Sequence, residues 1–101
     1  MEKVFVYGTL RDYRVRKKVT GNDIPNGDAD SLSGYYLSFL GDYSGIYPVI
    51  YKSHISDSII SGEVITVTEN ELELLDKYEG ELYIRIEAKL NSGQKAWVYI
   101  G

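Results

Sequence analysis

Only one stretch of this chain carries both the start and the stop of a helix, and it lies late: TENELELLDKYEG at 68–80. Thr68 stands as N-cap with Glu71 three residues on, a capping box in which each side chain satisfies a backbone N–H of the other. Gly80 is suited to the left-handed position that closes a last helical turn. The other apolar segments mostly alternate with period two. KVFVYG (3–8), SGYYLSFL (33–40), YPVIYKS (47–53) and SIISGEVITV (58–67) read as strands separated by the turn-rich GDYSG and HISD. LYIRIEAKL and KAWVYI around NSGQ read as a terminal hairpin. Several strands, short turns and one late helix predict an α+β fold whose mostly antiparallel sheet curls enough to close partly into a barrel.

The segment between the first two strands says less. TLRDYRVRKKVT (9–20) is open between a short helix and a loop, and GNDIPNGDADS (21–31), dense in Gly, Asn, Asp and Pro, reads as the clearest loop of the chain. Asp23, Asp28 and Asp30 are oxygen ligands of the kind a hard cation takes, but their spacing does not fit the alternating acids and twelfth-position Glu of an EF-hand, so no metal is expected. With 101 residues, no internal repeat and no linker, the expectation is one domain, 1–101.

Composition then excludes chemistries. Without cysteine there is no disulfide, thiol nucleophile or thiolate metal site, and His54, the single histidine, has no second nitrogen or sulfur ligand to complete a zinc centre. No serine sits in a G-x-S-x-G elbow, and neither a P-loop nor G-x-G-x-x-G occurs. A formal charge of −4 argues against nucleic acid as a partner. The local exception, RDYRVRKK, gathers Arg11, Arg14, Arg16, Lys17 and Lys18 and reads as a solvated face rather than a phosphate site. No apolar run approaches the roughly 20 residues of a membrane span, and MEKVFVYGTL has no signal-peptide pattern, so a soluble cytoplasmic protein is expected, with no membrane partner.

Two features with chemical content remain. VYGTL runs from a strand into Gly8 and Thr9, where successive backbone N–H groups can converge as an anion cradle; taken alone it reads as a plain turn. Glu79 is the second. It follows Leu72 and Leu75 at i, i+3, i+7, so its carboxylate shares a helix face with two leucines while Asp76 and Lys77 point elsewhere. A carboxyl buried there without a cation would move from its usual pKa of about 4.3 towards neutrality, as a general acid or base requires. The alternatives are that the last turn frays into water or that Arg85 pairs with the acid. Among the 10 tyrosines, Tyr35, Tyr36, Tyr43, Tyr47 and Tyr51 read as core or sheet-surface residues, and Trp97 and Tyr99 as packing, with Tyr99 a candidate for a pocket wall.

The combination of VFVYGTL, YPVI, GEVITV, LDKYEG and LYIR, in that order from Val4 to Tyr99, resembles the gamma-glutamylcyclotransferase-like (AIG2-like) family. The resemblance implies a small β-barrel with α-helices packed around it and a reaction that cyclises a γ-glutamyl group, releasing 5-oxoproline and a free amine or amino acid, without cofactor. It places Glu79 as the catalytic acid/base and Tyr7, Gly8, Thr9 and Leu10 as the segment that holds the γ-glutamyl moiety through backbone amides. It makes Tyr83 and Arg85 supports of that site; Tyr47 and Tyr99 complete the expected substrate-binding set. The partner is then a small γ-glutamyl substrate. A module that binds such a metabolite without turning it over is the alternative, since tyrosines make amphipathic pocket walls.

Overall fold

The computed structural model describes residues 1–55 and 57–101. The chain runs β1 (Glu2–Val6), a 3-10 turn (Thr9–Arg11), α1 (Tyr13–Thr20), β2 (Asp28–Ser33), β3 (Tyr35–Asp42), β4 (Gly45–Lys52) and β5 (Ile59–Val67). Then follow α2 (Glu69–Glu79), a second 3-10 turn (Gly80–Leu82), β6 (Ile84–Lys89) and β7 (Lys95–Ile100). Five strands form one sheet in the order β2-β5-β1-β7-β6, and β3 and β4 form a separate hairpin. Every pairing is antiparallel except β1 with β7, where Val4 faces Trp97 and Phe5 faces Val98. The class is the expected α+β; the curl takes the form of two facing sheets, and no strand ladder closes into a ring among the described residues.

Period-two alternation in β1 divides the core. Val4 and Val6 point to one face, where Ile65, Val67, Leu72, Leu75 and Tyr99 pack beneath the helices. Phe5 points to the other, with Leu32, Ile50, Val64 and Val98 against the hairpin. Each large apolar side chain buried this way contributes about 1.5–3 kcal/mol, which is why β1 needs an unbroken VFV at the middle of the sheet. The open end of the hairpin is tied in by Gly101, whose N–H donates to the Ile50 carbonyl at 2.9 Å. No helix of the described residues is long and apolar enough to cross a membrane.

In the 9–33 segment the structure decides one open reading and shortens the expected loop. Residues Tyr13–Thr20 are a helix, because the Asp12 side chain caps it by accepting from the Arg14 N–H and Gly21, at φ 77°, closes it. The expected loop extends only to Gly27. Asp28–Ser33 pair residue by residue with Val64 to Ile59 of β5, and this ladder overrides the poor strand propensity of DADS. Gly27 permits the approach, since a Cβ there would collide with the Val64 carbonyl oxygen. Asp30 accepts from Ser31, Ser92 and Gln94, Asp23 pairs with Lys17 at 3.1 Å, and Asp28 is exposed on β2. The basic run is not a uniform solvated face either, because Arg16 is wholly buried.

Candidate active site

The late helix forms as its ends dictate. Thr68 and Glu71 complete the capping box, with Thr68 Oγ1 accepting from the Glu71 N–H at 3.1 Å and Glu71 Oε1 from the Thr68 N–H at 2.8 Å. Leu72 and Leu75 are buried against the sheet, and Glu79 comes next along that stripe in the final turn. Gly80 stops the helix at φ 69°, as expected in sign, but its ψ of −158° lies outside the left-handed helical region in a conformation essentially reserved for glycine. The chain therefore swings from α2 straight into the second 3-10 turn, which carries Leu82 and Tyr83 beside Glu79.

Between this end of α2 and the turn after β1 lies a hollow of about 280 Å³, near the roughly 300 Å³ at which small-molecule sites begin. Glu79, Tyr7, Gly8, Thr9, Leu10, Tyr47, Tyr83 and Tyr99 all line it. Pro48, Tyr78 and Leu82, which sequence reasoning missed, line it as well, and among the described residues no lysine, arginine or histidine does. Glu79 is partly buried and has no ion pair among the described residues. Burial alone raises its pKa to about 7.

Arg85, expected in the site, is not in the lining. Its Nε pairs with Asp76 Oδ1 at 3.0 Å and its guanidinium lies 4.3 Å from the centre of the Trp97 ring, a cation–π contact that holds it on the β6 side. Asp76 consequently does not point away as periodicity suggested. Tyr99, directly opposite Arg85 in the β6–β7 ladder, donates its hydroxyl to the same Asp76 oxygen at 2.7 Å. The sequence held the signal: Asp76 is i+4 from Leu72 and belongs to the apolar face as much as Glu79 does.

The tyrosines of the wall are fixed by backbone acceptors. Tyr7 donates to the Tyr99 carbonyl at 2.6 Å and Tyr83 to the Pro48 carbonyl at 2.8 Å. Burial raises the pKa of Tyr7 and Tyr99 and pushes Tyr83 up to about 12, with the Glu79 charge adding to the effect in all three. All three therefore stay neutral at ordinary pH. The turn after β1 is pinned as well: Thr9 Oγ1 and Tyr78 Oη lie 2.9 Å apart, joining it to the last turn of α2. Pro48 packs so near Gly8 that a Cβ there would meet its Cγ at 3.2 Å. At the start of a 3-10 turn the first amides have no acceptor within it, so the turn itself leaves unused the N–H groups of Gly8, Thr9 and Leu10, three residues that line the pocket.

A family profile described as "Gamma-glutamyl cyclotransferase, AIG2-like" matches residues 4–101. No curated protein sequence matches the chain. Among solved structures, it is similar to a protein of Arabidopsis thaliana at 27% identity and TM-score 0.79, covering 98% of this chain and 61% of that one. A second Arabidopsis thaliana protein gives 28%, 0.76, 98% and 67% for the same quantities. A structure entitled gamma-glutamyl cyclotransferase superposes with TM-score 0.82 over 98% of this chain and 65% of its own, at 18% identity, a likeness of fold. The chain thus spans less than two thirds of two of these three proteins.

Proposed function

The chain belongs to the gamma-glutamyl cyclotransferase, AIG2-like family, and from that premise we propose that it cyclises a γ-glutamyl amine or γ-glutamyl amino acid to 5-oxoproline with Glu79 as general acid/base. The observation that carries the reading is a carboxyl with a near-neutral pKa, without an ion pair among the described residues, in a hollow shared with Gly8, Thr9 and Leu10.

The chemistry asks for little else. The α-amine of the substrate attacks its own γ-carbonyl, so a ring C–N bond forms and the γ-amide C–N bond breaks, with no water consumed. Such an intramolecular step needs the substrate folded into a near-attack ring more than it needs an enzyme nucleophile. Glu79 in its ionised form takes the proton that the attacking ammonium must lose and returns it to the departing amine; a pKa near 7 suits both transfers. Negative charge gathers on the γ-carbonyl oxygen, where the turn amides stabilise it by about 3 kcal/mol per donor. Tyr7, Tyr83 and Tyr99 hold the walls, and Tyr47 lines the hollow with its hydroxyl beside Ser44.

The tyrosine-rich lining also suits a module that only binds such a metabolite. A carboxyl desolvated to near neutrality favours catalysis, because binding alone gains nothing from it. The test is incubation with a panel of γ-glutamyl amines and γ-glutamyl amino acids while 5-oxoproline is measured. Release from at least one member supports the proposal; folded protein that yields none from the whole panel would sink it.

A further inference from the structure

Arg16 comes from the most basic stretch of the sequence, is wholly buried, and has no part in the chemistry above. Burying a guanidinium costs several kcal/mol unless hydrogen bonds replace its water. Its carboxylate neighbour is a weak partner, since Glu63 Oε1 lies 3.4 Å from Nη1 and is itself partly exposed. Carbonyls supply most of the rest. Nη1 donates to the Leu10 oxygen at 2.8 Å and the Arg11 oxygen at 2.9 Å. Nε and Nη2 donate to the Ile24 oxygen at 3.1 and 3.0 Å, and Nη2 also reaches Asn26 Oδ1.

Two of those carbonyls belong to the turn that carries YGTL. In a trans peptide the C=O and the following N–H point in opposite directions. With the Leu10 and Arg11 carbonyls drawn onto Arg16, the N–H groups of Arg11 and Asp12 are directed back into the turn. There they donate to the Gly8 and Thr9 oxygens at 3.0 and 3.1 Å. Those oxygens are thereby aimed inward, and the N–H groups of Thr9 and Leu10, on the far sides of the same two peptides, are aimed outward. Both residues line the pocket.

We propose that Arg16 is a positioning residue of this site: gripping the Leu10 and Arg11 carbonyls from behind, it sets the direction of the Thr9 and Leu10 amides that meet the negative oxygen of the cyclising substrate. This rests on the cyclotransferase reading of the pocket. The fork geometry matters, because a lysine ammonium offers its donors from one atom and cannot span the turn on one side and Ile24 with Asn26 on the other.

The test compares wild type with Arg16→Lys by amide hydrogen exchange and by steady-state kinetics on the best γ-glutamyl substrate. Exchange at Arg11 and Asp12 is expected to speed about tenfold or more while Val4, Ile65 and Val98 keep their protection. The kcat is expected to fall about tenfold or more with KM within about threefold, as for a misplaced transition-state donor, and with the pH profile unmoved because Glu79 is untouched. Should Arg16→Lys not fold, Asn26→Ala removes one anchor and leaves the guanidinium in place; a smaller change in the same direction is expected. Unchanged exchange at Arg11 and Asp12, or a lost kcat that only tracks the folded fraction, overturns the proposal. Absence of turnover in wild type overturns the cyclotransferase reading instead, and the exchange rates then decide the positioning alone.

Discussion

The two sides of the turn after β1 treat an ionisable group in opposite ways. Behind it, Arg16 is fully buried and every donor-bearing nitrogen of its guanidinium has an acceptor. In front of it, Glu79 is partly buried with no ion pair among the described residues, and its pKa rises to about 7. One turn back along the same helix, Asp76 is given both Arg85 and Tyr99. Among the described residues, cations and hydroxyls thus go to the groups that hold the structure and not to the one group proposed to change protonation. A satisfied charge is a fastening, whereas an unsatisfied one can do proton chemistry.

That contrast can be broken most directly at Glu79. Glu79→Gln keeps the shape and removes the proton carrier, so turnover measured as 5-oxoproline release is expected to drop about 10³-fold while 5-oxoproline still binds in a calorimetric titration. Next in size is the loss of the fastening: Arg16→Met, close in volume, leaves its acceptors unpaired and is expected to cost about 3 kcal/mol in urea unfolding. Glu79→Gln should move stability the other way. Between the ordinary carboxyl pKa of about 4.3 and the native value near 7, the folded chain holds a proton that the unfolded chain has released, so wild-type stability falls as pH rises through this window. The Gln variant is expected to match wild type at pH 4 and to exceed it by about 3 kcal/mol at pH 8. The smallest effect belongs to Asp76→Asn, which loses a half-exposed ion pair and keeps an acceptor for Tyr99; about 0.5–1 kcal/mol in urea unfolding is expected.

How much of this could be read in the sequence varies by the range of the interaction. The strands, the capped helix and Glu79 on its apolar face follow from local periodicity and capping, and the structure has them. The 9–33 segment does not, because β2 exists through its ladder with β5 rather than through its own residues, and because charge alone cannot distinguish Arg16, which turns inward, from Arg14, which pairs with Asp12 at the surface. Arg85 was expected to support the site, and the structure instead sets it on Asp76, outside the lining. Choosing Asp76 over Glu79 depends on the β6–β7 register that sets Arg85 opposite Tyr99, a long-range fact. Pro48 and Tyr78 enter the site the same way, one from β4 by packing against Gly8, the other through its hydroxyl beside Thr9.

Everything proposed for the site depends on one carboxyl being held away from water and, among the described residues, from cations. Carbon-13 NMR of the Glu79 side-chain carboxyl across a pH titration measures it directly. A midpoint near 7 is the expected result. A midpoint at the ordinary value of about 4.3 would contradict it, because Glu79 would then be an ordinary solvated acid with no proton to return at neutral pH.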